Sequence, residues 1–79
     1  MKLRIKLYGT LGPRVPGYRH SEGIQVELPD GATVNDLLTR LKISESEGAV
    51  VSIEGRLRKT DDKLSDGAQA QVFQTIHGG

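Results

Sequence analysis

The chain closes on Gly78-Gly79, the one place where residue type and position together point to chemistry. The pair offers a carboxylate at Gly79 behind a residue that carries no side chain. With glycine usage near 7%, a closing Gly-Gly is a chance event of about 0.5%. Chain ends often carry small residues, however, so the pair gains meaning only from the elements that present it. No other group assembles into a site. The sequence holds no cysteine, which excludes disulfides, thiolate metal sites and a catalytic thiol. His20 has no sequence neighbours that suggest a metal. Asp61, Asp62 and Asp66 read as a charged turn, because their spacing is not that of a calcium loop, and Gly9-x-x-Gly12 lacks the Gly-Lys-Ser/Thr of a phosphate loop. No nucleophile with an adjacent base can be assembled, so an independent enzyme is not expected.

Seventy-nine residues are enough for one domain. Hydrophobic residues make up 35% of them, and the aromatics are Tyr8, Tyr18 and Phe73, so the core must rest on Leu, Ile and Val. Eleven basic and ten acidic residues leave a formal charge of +1. That is no electrostatic footprint for nucleic acid, which shows as a strongly basic domain with its cations clustered. No apolar run approaches the roughly 20 residues that span a bilayer, and Met1 to Tyr8 alternates charged with apolar residues, unlike a leader. The expectation is a soluble cytoplasmic protein, monomeric when free, that engages neither nucleic acid nor membrane.

The periodicity then supplies the elements. Leu3, Ile5 and Leu7 alternate with Lys2, Arg4 and Lys6, which is the pattern of a half-buried strand with the cations on its solvated face. Gly9 to Gly23 carries six Gly and Pro residues and predicts a long, mobile connection. Ile24, Val26 and Leu28 predict a second strand, hairpinned onto the first. Pro29-Asp30-Gly31 is a turn. Val34, Leu37, Leu38 and Leu41 fall at i, i+3, i+4 and i+7, one stripe of an amphipathic helix from Val34 to Lys42. Thr33 and Asp36 stand as its capping box, with Asp in place of the usual Glu or Gln. Ala49 to Ile53 predicts a third strand with Val51 and Ile53 inward. Glu54-Gly55 predicts a turn, and Arg56 to Arg58 a short strand with Leu57 inward. Leu64 reads as an isolated core anchor. Ala70 to Ile76 predicts the last strand, with Ala70, Val72 and Ile76 on the core face and Phe73 on the other. It is placed beside the first strand, hence centrally. The whole is an α+β arrangement, one main helix on one face of a mixed sheet of four to five strands.

With that order in hand, the chain resembles the ThiS/MoaD family of sulfur carriers, a branch of the ubiquitin-like β-grasp proteins, over nearly its full length. The resemblance is carried by L-P-D-G-A-T-V-N-D-L-L from Leu28 to Leu38, V-S-I-E-G from Val51 to Gly55, L-S-D-G from Leu64 to Gly67, and the His77-Gly78-Gly79 end. Lys42 stands where many relatives have a helix-ending glycine, and Ala68 where an acidic residue is common.

The resemblance implies one β-grasp domain over residues 1–79 with a flexible tail at 77–79. It implies that a ThiF/MoeB-like enzyme adenylates the Gly79 carboxylate with ATP, no cofactor being bound by the chain itself. A sulfurtransferase or cysteine desulfurase system then converts the adenylate to a thiocarboxylate, and a sulfur-accepting synthase subunit consumes it. His77 and Gly78 would accompany Gly79 into the partner's active site. His77 is not read as a general base, because the activating enzyme supplies the chemistry. Phe73 and Ile76 are candidate partner contacts, although the long loop is an equally good cover for Phe73. The length of that loop resembles the small subunit of molybdopterin synthase more than the thiamine-pathway carriers. Two alternatives stay open: a protein modifier joined to lysines through Gly79, and a binding module without chemistry.

Overall fold

A computed structural model of the chain describes residues 1–74, with every side chain among them except that of Glu45. The expected strand alternation becomes β1, Lys2–Leu7, in which Leu3, Ile5 and Leu7 are buried while Lys2 and Arg4 are exposed. β2, Ile24–Glu27, pairs with it antiparallel, Lys2 facing Glu27 and Ile5 facing Ile24. Between them Gly23 sits at a φ of +72°, and a Cβ there would lie 2.7 Å from the carbonyl oxygen of Ile5. Only glycine allows this approach.

The helix α1 is Val34–Arg40, and both halves of its capping box form. The Asp36 backbone N–H donates to Thr33 Oγ1 at 3.3 Å, and the Thr33 N–H donates to Asp36 Oδ2 at 2.8 Å. Two more first-turn amides find loop carbonyls: Val34 donates to Asp62 and Asn35 to Thr60, each at 2.9 Å. At the other end Ile43 N–H reaches Leu38 O and Lys42 N–H reaches Thr39 O, the paired bonds of a Schellman close. Such a close needs a left-handed residue, and Lys42 takes that place at a φ of +60°. The helix therefore stops about two residues before the sequence expectation. A side chain in this conformation costs roughly 1–2 kcal/mol, part of which glycine returns as unfolded-state entropy. Lys42→Gly is expected to raise stability by about 0.5–1 kcal/mol, read as a higher urea midpoint at unchanged slope. A lower midpoint would mean that the lysine side chain stabilises this corner.

Seven residues make too short a helix to persist alone. Val34, Leu37 and Leu38 are instead buried against the sheet. The sheet adds β3, Ala49–Ile53, β4, Arg56–Arg58, and β5, Gln69–Gln74. Among the described residues it has five strands in the order β2-β1-β5-β3-β4. β5 runs parallel to β1 and antiparallel to β3, so the expected central place of the last strand holds. Val51, Ile53, Ala70 and Val72 join Val34, Leu37 and Leu38 in one buried cluster, to which Leu64 also belongs. The sequence expectation carried this strand on to Ile76, which lies outside the described residues.

Two expectations are corrected. Leu57 is not inward but 73% exposed. Glu54 and Gly55 both take positive φ, +54° and +79°, as a tight two-residue hairpin turn requires. That turn sets Ile53 opposite Arg56 and Ser52 opposite Leu57, so Leu57 lies on the face turned away from the helix. The Gly9–Gly23 connection is also not featureless. Gly9–Arg14 forms a 3-10 helix that sinks Leu11 to 0% exposure within the core cluster. Likewise Glu45–Glu47 is a short 3-10 turn within the polar connection.

Candidate functional site at the end of the last strand

The site is built around the end of β5, because residues 75–79, including Ile76, His77, Gly78 and Gly79, continue the chain from Gln74. They lie outside the described residues, and what the structure shows is the ground they leave from. β5 alternates: Ala70 and Val72 go to the core, Gln71 and Phe73 to the outer face. On that face Phe73 lies opposite Val50 of β3. Its ring stacks on Tyr8 at a centroid distance of 4.6 Å and an interplanar angle of 22°. Tyr8 in turn meets the His20 ring in a T-shaped pair, with centroids 4.8 Å apart and planes at 82°. Phe73 is therefore half-buried, with one ring face covered by Tyr8 and the other side of the question, a partner contact, left to the remaining surface.

Tyr18 explains why the loop holds Tyr8 in place. Its hydroxyl accepts the Leu7 N–H at 2.7 Å, lies 3.2 Å from Leu7 O, and stands 3.1 Å from His20 Nδ1. The ring passes under Gly12, where a Cβ would approach it to 3.1 Å. The loop thus arches over a cleft of about 560 Å3, lined among others by Tyr8, Pro13, Val15, Tyr18 and His20.

A second set of contacts surrounds Gln74 itself. Thr10 Oγ1 donates to Gln74 Oε1 at 2.5 Å, and Gln74 Nε2 approaches Glu47 O at 3.5 Å. The Glu47 carboxylate forms an ion pair with Arg14, whose other guanidinium nitrogen donates to Lys42 O at 2.9 Å. The Ser44 N–H donates to Glu47 Oε2 at 2.8 Å. The Ser44 amide first, and then the Arg14 guanidinium, hold the Glu47 carboxyl below the usual carboxylate range, against a smaller opposing effect of desolvation. The pair therefore keeps its charge to a lower pH than an unpaired glutamate would.

The basic stripe of β1 makes only surface contacts. Lys2 Nζ lies 3.8 Å from Glu27, and Arg4 donates to Glu22 O. Asp62 caps the Lys59 N–H and Asp66 caps the Lys2 N–H, which gives the acidic turn a structural role. Among the described residues no three acidic or histidine side chains lie close enough to hold a metal ion. No helix among them is long and apolar enough to cross a membrane.

Sequence reasoning named Phe73 but missed Tyr8, Thr10, Arg14, Glu47 and Gln74. Tyr8 carried a signal, as an aromatic that ends the alternating run of β1. Arg14 and Glu47 carried none, being separated by 33 positions.

No family model matches the sequence, and no curated protein does. Solved structures match its fold across almost the whole chain. SAMP1 from Haloferax volcanii superposes with a TM-score of 0.73 at 19% identity, covering 100% of both chains. A putative molybdopterin converting factor subunit 1 from Pyrococcus furiosus gives 0.75 at 24% identity, covering 95% of this chain and 98% of that one. The Caldiarchaeum subterraneum ubiquitin gives 0.66 at 20% identity, with 100% and 98% covered. The fold is the ubiquitin-like β-grasp that these structures share.

Proposed function

We propose that this chain is a sulfur carrier that works through the carboxylate of Gly79. The observation that carries the reading is a ubiquitin-like β-grasp sheet whose central strand β5 ends at Gln74, five positions before Gly79 in the sequence. A ThiF/MoeB-like enzyme binds ATP, and the Gly79 carboxylate attacks the α-phosphate with loss of pyrophosphate. This turns a poor electrophile into an acyl-adenylate with a good leaving group. A persulfide on a sulfurtransferase or cysteine desulfurase partner then displaces AMP and forms an acyl disulfide. A second thiol cleaves its S–S bond, leaving the thiocarboxylate on Gly79 and a disulfide on the thiols. A synthase subunit accepts the sulfur. Glycine at positions 78 and 79 lets the tail enter a narrow channel and adopt φ values closed to other residues. Phe73 and Ile76 are assigned to the partner contact, and His77 accompanies the tail.

The long segment between β1 and β2 favours molybdopterin synthesis over thiazole synthesis as the destination, and a molybdopterin converting factor stands among the fold neighbours. The modifier reading has its own support, since a small archaeal modifier protein from H. volcanii matches at a TM-score of 0.75. Both begin with the same adenylate and differ in what consumes it. Intact mass after incubation with ATP, an activating enzyme and a persulfide donor is expected to show one oxygen replaced by sulfur at Gly79. Thiol-resistant conjugates to lysine in place of that product would favour the modifier. No change in mass with several activating enzymes would leave the modifier and the binding module, and the search would move to captured protein partners.

A further inference from the structure

We infer that the groove between β2 and the end of α1 is a docking site for an extended, acidic segment of a partner protein, which adds to the sheet as a further strand. The inference goes beyond the sulfur-carrier reading and does not depend on it.

β2 stands at an edge of the sheet. The Arg4 and Tyr8 N–H groups donate to Ala68 O and Val72 O on the β5 side, so the backbones of Leu3 and Ile5 turn towards β2. Their partners there are Val26 and Ile24. The alternation of an antiparallel ladder then leaves the N–H and C=O groups of Gln25 and Glu27 facing away from the sheet. No described residue pairs with them. Edges are commonly blunted by lysine, proline, a bulge or a very short strand. β2 reads Ile-Gln-Val-Glu and keeps an unbroken register with β1, so it lacks the first three. The other edge, β4, is only Arg-Leu-Arg, blunted by its length and its charge.

Open backbone groups accept any strand, and the groove beside them sets the chemistry. It holds about 440 Å3 and is lined by Ile24, Val26, Arg40 and Leu41 together with Gln25 and Glu27. Ile24 and Leu41 are half-buried against the core. A strand laid beside β2 turns every second side chain to this face, so apolar residues at those positions complete the cover of Ile24 and Leu41. Arg40 is exposed and enters no ion pair or side-chain hydrogen bond among the described residues. Glu27, the other charge at the groove, lies 3.8 Å from Lys2. The uncompensated charge is therefore positive, and a carboxylate on the incoming strand complements it. A second copy of this chain fits less well. It brings another Arg40, while its Glu27 lies on the sheet face away from the helix, opposite the exposed Lys2.

The probe is the synthetic peptide Asp-Thr-Val-Thr-Val-Thr-Asp, capped at both ends, which reads alike in either strand direction. It is titrated into the full chain and followed by amide NMR. Saturable shifts are expected at Gln25 and Glu27, downfield as their N–H groups gain acceptors, with a Kd below about 1 mM. Methylation of the peptide's β2-facing amide nitrogens removes its donors and is expected to abolish binding. Arg40→Glu is expected to weaken binding about tenfold. The same variant is expected to bind a peptide with lysine in place of aspartate more tightly than wild type does, a gain that only a folded variant shows. Equal binding of the methylated peptide overturns strand addition, and equal binding by Arg40→Glu overturns the acidic specificity. No saturation at several millimolar peptide, or shifts confined to Tyr8, Leu57 and Phe73, overturns the site. Shifts at Gln25 and Glu27 that follow the concentration of the chain alone make a second copy the occupant, and overturn the inference as well.

Discussion

Deletion of Gly79 is expected to abolish adenylation while leaving the fold intact. The shortened chain ends one residue earlier, so its carboxylate sits about 3.5 Å short of the reacting position. The rate is expected to fall by at least about a hundredfold, measured as ATP–pyrophosphate exchange at saturating activating enzyme. Stability should not follow, because the deleted residue lies beyond the last described strand and takes no part in the core cluster of the described residues. The melting temperature is expected to change by less than about 2 °C. Exchange that persists in the truncated chain would exclude Gly79 as the acceptor. A large fall in melting temperature would instead give the chain end a structural role. Gly79→Val is the companion variant. It restores length but adds a branched side chain, so inactivity there reports on the width of the partner's channel.

The second large effect is expected at Leu11, far from the tail in sequence. Leu11 is fully buried, and it reaches the core from a 3-10 helix within a glycine- and proline-rich segment. Leu11→Ala is expected to cost about 2–4 kcal/mol and to lower the melting temperature by about 10–25 °C. A solvated loop residue would cost less than about 0.5 kcal/mol, so thermal denaturation separates the two descriptions cleanly. The loss should propagate to the outer face, because the same segment carries Tyr18, which holds the end of β1, and His20, which abuts Tyr8. A fall in stability of a few tenths of a kcal/mol would return the segment to the status of a plain connection.

These two sites also mark what the sequence could show. The strands and the helix were legible because their apolar residues repeat with the period of the element. Leu3, Ile5 and Leu7 alternate, and Val34, Leu37 and Leu38 stack on one stripe. The capping box was legible because Thr33 and Asp36 are three residues apart. Leu11 was not, since a single apolar residue among glycines and prolines has no period to reveal it. Leu57 failed for another reason. Three residues, Arg-Leu-Arg, fit either face of a sheet, and only the register set by the Glu54-Gly55 turn decides between them. With Val51 and Ile53 inward, that register turns Leu57 outward. Lys42 was noticed as an unusual occupant, and the structure gives the reason it matters. The contacts around Gln74 depend on residues far apart in the chain, and no local pattern encodes them. The chemistry read from Gly78-Gly79 belongs wholly to the sequence.

The place of β5 has a consequence for biosynthesis. Without it, β1–β2 and β3–β4 are two separate hairpins with no ladder between them. Isolated hairpins are marginal at best in water. A ribosome delivers the chain from its amino end, so the hairpins emerge first and wait. Only when Gln74 has cleared the exit tunnel can β5 slot between β1 and β3 and close the sheet. Folding is thus gated by the emergence of β5. A nascent chain interrupted upstream of β5 remains open to proteolysis and never becomes a compact molecule with a defective tail.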